Sequence, residues 1–331
     1  MESTKERSVL ITGATGFVGS HLTGFLDGLG YQVWATGSRT RPPSMPASVR
    51  YVSADICDQV RLAKCVDDVT AVVHTAALLH LNRVNHEMEC EYRRVNVEGT
   101  RAMLALAEQK RATKFIFLST ANVYGPSRDR VTHDENARLC PQTLYAQTKV
   151  EGEAVALQFP GATILRPAAV YGPGMKGNYN TLVALVRRGL YLRIGRHSPR
   201  RTLVYVEDLC EAIVRVLSAR ATSGVYNVTD GGFHTLDDIV DTIATTIGRH
   251  PVGVPVPTGL ASTAGRAAEG ACRMLRIDVS PQSLVEKYTE DFAVCGRRFI
   301  KSFGFEPRFD LESGWRHTLL QSTLDTMRNL P

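Results

Sequence analysis

Long apolar runs, paired cysteines and clustered histidines are all missing from this chain of 331 residues. No window of eighteen apolar residues occurs, which excludes a membrane-spanning helix. The seven cysteines are odd in number and contain no Cys-x-x-Cys. That argues against a disulfide frame or a zinc site and for a reducing, cytoplasmic setting. The nine histidines include no His-x-x-x-His, so no metal centre is expected. Met1–Arg7 runs straight into the first apolar segment, so a cleavable signal peptide is not expected. Net charge is only +6, carried locally by Arg187-Arg188, Arg193, Arg196 and Arg200-Arg201. No aromatic-interleaved motif accompanies these arginines, so nucleic acid is not the expected partner. A small molecule bearing a diphosphate explains them better.

What is present begins with glycine. Val9 to Thr12 is a β-prone run without polar alternation, as in a buried parallel strand. Gly13, Gly16 and Gly19 follow, and then a stretch from Ser20 to Leu26 with an apolar helical stripe. Strand, tight turn and helix N-terminus together make a pyrophosphate site, with Thr15, Phe17 and Val18 inside the turn. The spacing is Gly-x-x-Gly-x-x-Gly. The next strand, Gln32 to Thr36, leads into Gly37-Ser38-Arg39-Thr40-Arg41, where no carboxylate is available for a ribose 2′-hydroxyl. Two arginines there suit a 2′-phosphate, which favours NADP, with NAD as the alternative.

Tyr145 and Lys149 are spaced to share one helix face. A phenol titrates near pH 10, and a neighbouring ammonium with a positive nicotinamide should lower that value toward the working range. Phe115 to Leu118 reads as a buried strand that delivers Ser119 and Thr120 to its carboxyl end, where sites in open α/β sheets lie.

These residues, with Asp55-Ile56, His74-Thr75-Ala76-Ala77, Asn96 to Thr100, Ser119 to Gly125 and Leu165 to Gly174, resemble the extended short-chain dehydrogenase/reductase family. The resemblance implies an α/β fold: a Rossmann-type doubly wound parallel sheet with a smaller α/β C-terminal substrate lobe. It divides the chain into a dinucleotide-binding domain over 1–170, to which part of 201–230 returns, and a substrate lobe from 171–200 and 231–331. It also implies a triad of Thr120, Tyr145 and Lys149, adenine contacts at Asp55 and Ile56, and a dinucleotide-lining strand end at Ala76 and Ala77. Asn96 takes a structural or water-holding role and Pro167 a place beside the dinucleotide, while Arg39, read from the residues themselves, is the expected contact of the 2′-phosphate. Thr120 stands where Ser is commoner, and Leu144-Tyr145-Ala146 replaces the frequent Pro-Tyr-Gly.

Past Pro167 the pattern changes: a Gly/Asn/Pro-rich loop over Tyr171 to Asn180, a helix from Thr181 to Arg188, and a strand entering a helix from Arg201 to Leu217. Thr235-Leu236-Asp237-Asp238 should cap a further helix. Within the family the segments Pro173 to Asn178 and Gly195 to Asp208 are similar to the UDP-glucose 4-epimerase group, which implies that Asn178 and Arg201 contact a nucleotide diphosphate. Ala76 to His80, Arg94 to Thr100 and Lys176 to Asn178 are similar to bacterial nucleotide-sugar 4-ketoreductases of O-antigen or capsule synthesis. The expected activity is therefore hydride transfer at C4 of a UDP-4-keto-6-deoxy hexose. A UDP-hexose 4-epimerase with recycled NAD is the alternative, and a non-catalytic dinucleotide-binding regulator stands behind both. The resemblance further implies a homodimer through helices around Glu98–Lys110 and Tyr145–Gln158.

Overall fold

The structure, a computed structural model, describes residues 7–79, 86–127, 130–191, 193–195, 198–220, 223–250, 256–274 and 290–328. His80 and Arg196, named above, lie outside them. Strand and helix alternate from the start: β1 (Ser8–Thr12), α1 (Phe17–Gly28), β2 (Gln32–Gly37), β3 (Arg50–Ser53), α2 (Gln59–Cys65), β4 (Ala71–His74) and α3 (His86–Arg93). A π-helical turn at Arg94–Glu98 leads into α4 (Gly99–Gln109), then β5 (Lys114–Leu118), a 3-10 turn at Ala121–Tyr124, α5 (Leu144–Ala156) and β6 (Thr163–Pro167). The chain then leaves through β7 (Ala169–Tyr171), α6 (Asn178–Arg188), β8 (Arg200–Arg201), β9 (Leu203–Tyr205) and α7 (Val206–Ser218). It returns in β10 (Gly224–Val228). Strands β10-β6-β5-β4-β1-β2-β3 form one seven-stranded sheet, parallel throughout. Strand order reverses between β1 and β4, and the crevice above that point is where such sheets hold ligands.

The sheet is covered on both faces, which is why its strands are apolar on both sides. Val9, Ile11 and Ile116 pack with α1 and α7 through Leu22, Leu26, Leu209 and Ile213. Leu10, Phe115 and Phe117 face the other way, onto Leu62, Met103, Leu106 and Val155 of α2, α4 and α5.

A separate cluster builds the second lobe from Leu182, Val186, Tyr205, Ile239, Ile243 and Trp315. Its elements are α6, the β7–β9 and β8–β11 ladders, with β11 (His234–Thr235), and α8 (Leu236–Thr246). The last helices are α9 (Thr258–Met274), α10 (Arg297–Phe303) and α11 (Leu311–Arg328). The cap expected at Thr235 is a full capping box with Asp238. Helix α6 begins at Asn178, three residues before the expected start. Gly177, at φ 82°, closes the loop there, and Asn178-Tyr179-Asn180 enter the helix although asparagine alone favours turns. Buried Asp208 on α7 accepts the N–H groups of Arg308 and Phe309 at 3.0 and 3.1 Å, pinning the approach to α11. No described helix is long and apolar enough to cross a membrane.

Candidate active site

The glycine turn is held by contacts that leave no space for side chains. Gly13 sits at φ 70°, and a Cβ there would lie 2.7 Å from the backbone of Ala76. A Cβ on Gly19 would come within 2.2 Å of the Gly13 carbonyl oxygen. Helix α1 starts behind Gly16 with no side-chain cap, so its first-turn N–H groups are directed at whatever anion the crevice holds. The side chains of Phe17 and Val18 are taken up in packing. The Phe17 ring packs against the second-lobe cluster and edge-on to His21, and Val18 joins the core under the sheet.

At the end of β2 the structure explains the missing carboxylate. A Cβ on Gly37 would meet Thr15 Oγ1 at 2.9 Å and the Tyr51 hydroxyl at 3.2 Å, so a larger residue there would have to displace the Thr15 side chain. Arg39 is exposed and meets no acceptor among the described residues. The second expected arginine is spent elsewhere: Arg41 donates to the carbonyls of Val49 and Pro46 at 2.8 and 2.6 Å, bracing its own loop. Asp55 is exposed and accepts from Cys57 N and from Arg94 Nη1, both at 2.9 Å, while Ile56 is buried beneath Gly99.

Between β1 and β4 runs a chain of buried hydrogen bonds whose direction can be worked out. Thr100 donates to the Asn96 carbonyl at 2.7 Å, so it must accept from His74 Nε2 at 3.0 Å. His74 Nδ1 then accepts from Thr12 Oγ1 at 2.7 Å, and Thr12 accepts from Ala76 N at 3.2 Å. Burial, and secondarily the charge of Lys149, hold the His74 imidazolium down to about 3, so the ring stays neutral. This chain places Ala76 and Ala77 beside the glycine turn. Asn96, in the π-helical turn, accepts from Leu78 N at 2.7 Å and donates to Thr148 Oγ1 at 2.9 Å. It thereby fastens the β4 loop to α5, consistent with the frequent use of π-turns at sites.

Helix α5 opens on a Thr143 cap, its Oγ1 accepting from Ala146 N, which sets Tyr145 in the first turn and Lys149 one turn on. Gly152 lets the helix lie close: a Cβ there would be 2.8 Å from the Phe117 ring. Lys149 is buried, with its ammonium 4.0 Å from the centroid of Phe117. Burial pushes it down to about 7, and Glu153 pulls it back up. Burial, and secondarily the neighbouring Tyr92 phenol, hold the Tyr145 phenol above its ordinary value; the expected lowering involves the positive nicotinamide as well as Lys149. Thr120 ends β5 half-buried, its Oγ1 accepting from Asn122 N at 3.2 Å. Pro167 closes β6 in register with Val228.

A cavity of about 270 Å³ opens beside these residues, lined by Asn122, Gln142, Thr143, Asn178, Arg201 and Phe292 among others. It thus brings the expected pair Asn178 and Arg201 into one wall. Arg201 Nη1 also donates to the main-chain oxygens of Arg200 and Glu290. Asn122 and Gln142 were missed from the sequence, although each lies within three residues of Thr120 or Tyr145. Phe292 had no sequence signal at all.

Comparison with known proteins agrees with this geometry. Residues 9–229 match the NAD dependent epimerase/dehydratase family. A UDP-glucose 4-epimerase of Vibrio cholerae is 27% identical over 327 residues, covering 94% of each chain. A dTDP-glucose 4,6-dehydratase of Streptomyces niveus is 30% identical over 247 residues, 67% of this chain and 72% of the relative. The solved structure of MoeE5 in complex with UDP-glucose and NAD superposes with a TM-score of 0.74 at 24% identity, covering 97% of this chain and 99% of that one. With the glycine turn, the Tyr145–Lys149 helix and more than half of its length matched together, the chain belongs to the NAD dependent epimerase/dehydratase family, within the extended short-chain dehydrogenase/reductase enzymes.

Proposed function

We propose that this enzyme transfers hydride from NADPH to C4 of a UDP-4-keto hexose, with Tyr145 as proton donor, Thr120 as the hydroxyl that positions the substrate oxygen, and Lys149 as the cation beside them. The observation that carries this reading is the cavity whose walls join Asn178 and Arg201 to the residues flanking Thr120 and Tyr145. A guanidinium fork and an amide match a diphosphate, which leaves the sugar next to the hydroxyls. The relatives' names, UDP-glucose 4-epimerase and dTDP-glucose 4,6-dehydratase, point to the same substrate class.

In the reductive direction Tyr145 would act as a neutral phenol, giving its proton to the oxygen that gains charge as hydride arrives. A 4-epimerase must first oxidise, and so needs the phenolate, which only the positive nicotinamide and Lys149 could bring within range. That reading remains the second one. Dehydration is less well served. It needs an acid and a base around the sugar, and Glu290 is the one carboxylate residue among the described lining residues. Next to Thr120 and Tyr145 stand Asn122, Gln142 and Thr143.

Arg201→Ala is the test of the substrate class. Losing charge-assisted hydrogen bonds to a diphosphate should raise KM for the nucleotide sugar about tenfold to a hundredfold. An unchanged KM would remove the diphosphate from this wall. For the cofactor, Gly37 and Arg39 support NADP: the ribose edge has no carboxylate to repel a 2′-phosphate and one uncommitted guanidinium to meet it. Fluorescence titration should give NADPH at least about tenfold tighter binding than NADH, and Arg39→Ala should erase most of that gap. Tighter NADH binding would overturn the cofactor assignment. A homodimer through α4 and α5 goes with the same reading.

A further inference from the structure

Behind α5 lies a buried ionic pair that none of the chemistry above uses. Glu153 stands four residues after Lys149 and is 4% exposed, and Arg166 on β6 is 5% exposed. Arg166 grips the carboxylate with two donors, Nε at 2.9 Å and Nη2 at 2.6 Å. Ser119, the residue before Thr120, donates its hydroxyl to the same Glu153 Oε1. On the other side Arg166 Nη1 donates to the Tyr124 hydroxyl at 2.8 Å, which donates in turn to Asn227 Oδ1 at 2.8 Å. Asn227 Nδ2 continues to the Cys295 carbonyl at 3.2 Å. Arg166 donates both ways, to Glu153 on one side and to Tyr124 on the other, and each carboxylate oxygen and each guanidinium nitrogen is matched. A buried pair of this kind is weak evidence for stability, since its desolvation offsets its attraction and apolar replacements are often as stable. Its value lies in what it joins: the strand end carrying Thr120, the helix carrying Lys149, and the segment carrying Phe292 and Cys295.

We infer that Glu153 and Arg166 are positioning residues for hydride transfer: the Glu153 carboxylate, gripped by Arg166 on β6, holds the Thr120 strand end through the Ser119 hydroxyl and sets an opposite charge one turn behind the Lys149 ammonium. The inference rests on the reading given under Proposed function. Around Lys149 the titratable and charged groups are Tyr145 and Glu153 on α5, His74 on β4, Arg166 on β6 and, beside Tyr145, Tyr92 on α3. His74 is neutral, so Glu153 is the group acting to keep Lys149 charged. Neutralising Glu153 removes that pull and leaves the Arg166 charge unopposed nearby. Both changes make Lys149 lose its proton at lower pH.

The test is Glu153→Gln in the full chain, with turnover and NADPH affinity followed against pH. The alkaline limb of kcat should move down by about one pH unit, with KM for the nucleotide sugar within about twofold of the parent. Ser119→Ala, which keeps the pair, should lower kcat evenly without moving the limb. A Glu153→Gln profile that superimposes on the parent's, or falls evenly at all pH, overturns the inference. Should Glu153→Gln fail to fold, Glu153→Asp carries the test. It keeps the charge but loosens the grip, so kcat should drop with the limb unmoved, and a parental kcat overturns the inference. Tyr145→Phe is run alongside. Turnover within a few-fold of the parent in that variant defeats the proton-donor role on which the inference rests, whereas a Tyr145→Phe lowered about 10²- to 10⁴-fold with an unmoved Glu153→Gln limb defeats only the pair's role. If the parent turns over no nucleotide sugar offered, the pH midpoint of NADPH binding is read instead, and it must still fall in Glu153→Gln.

Discussion

Tyr145→Phe is expected to lower turnover by about 10²- to 10⁴-fold, the range for loss of a positioned acid–base group. Dinucleotide affinity should change little. The phenol is half-buried at the start of α5, and its hydroxyl holds its proton more tightly than free tyrosine does because water is excluded around it. Removing one oxygen leaves the ring, the Thr143 cap and the Lys149–Phe117 contact in place. The loss should therefore fall on kcat, with KM for the nucleotide sugar largely kept, because Asn178 and Arg201, the proposed diphosphate contacts, are left in place. Stopped-flow hydride transfer, monitored on the reduced nicotinamide, checks this. A variant within a few-fold of the parent would mean that another group delivers the proton.

Gly19→Ala is expected to abolish dinucleotide binding at concentrations that saturate the parent. A methyl group here would sit 2.2 Å from the Gly13 carbonyl oxygen and 2.9 Å from Thr75 Oγ1. Neither can yield cheaply. Gly13 is itself wedged against Ala76, and Thr75 Oγ1 donates to the Thr12 carbonyl at 2.6 Å. The turn must therefore open, which costs about 1–3 kcal/mol of stability by the usual range for overpacking and moves the α1 N–H groups off the pyrophosphate position. Gly24→Ala is the control: it lies on the same helix with open space around it, and should bind as the parent does. Nucleotide fluorescence and thermal melting on both variants separate lost binding from lost folding.

The parts of the site that could be read from the sequence are those where chemistry and local geometry share a short stretch of chain. The glycine turn shows itself because a strand, three glycines and a helix occupy consecutive residues. The Tyr145–Lys149 pair shows itself because one helical turn brings the two together. Thr120 follows from its place at the end of an apolar strand. What stayed hidden depends on contacts between distant segments. Arg41 looked like a phosphate ligand because nothing nearby in sequence says that its guanidinium is spent on Val49 and Pro46. Glu153 and Arg166 meet only because α5 turns back antiparallel to β6, and Phe292 reaches the cavity from far along the chain. In the fold, β1 and β5 were clear from their unbroken apolar runs. The start of α6 was not, because Asn178 and Asn180 are helix-neutral residues that only the Gly177 turn commits to the helix.

The central claim is reduction of a nucleotide-bound 4-keto sugar at the expense of NADPH. Its most direct test is to incubate the purified enzyme with NADPH and a UDP-4-keto-6-deoxy hexose, following both the reduced nicotinamide and the mass of the sugar product. The account predicts NADPH consumed in step with a product heavier by two hydrogen atoms. Persistent NADPH, with a UDP-hexose converted to its C4 epimer in the presence of the bound cofactor alone, would contradict it and make the enzyme an epimerase.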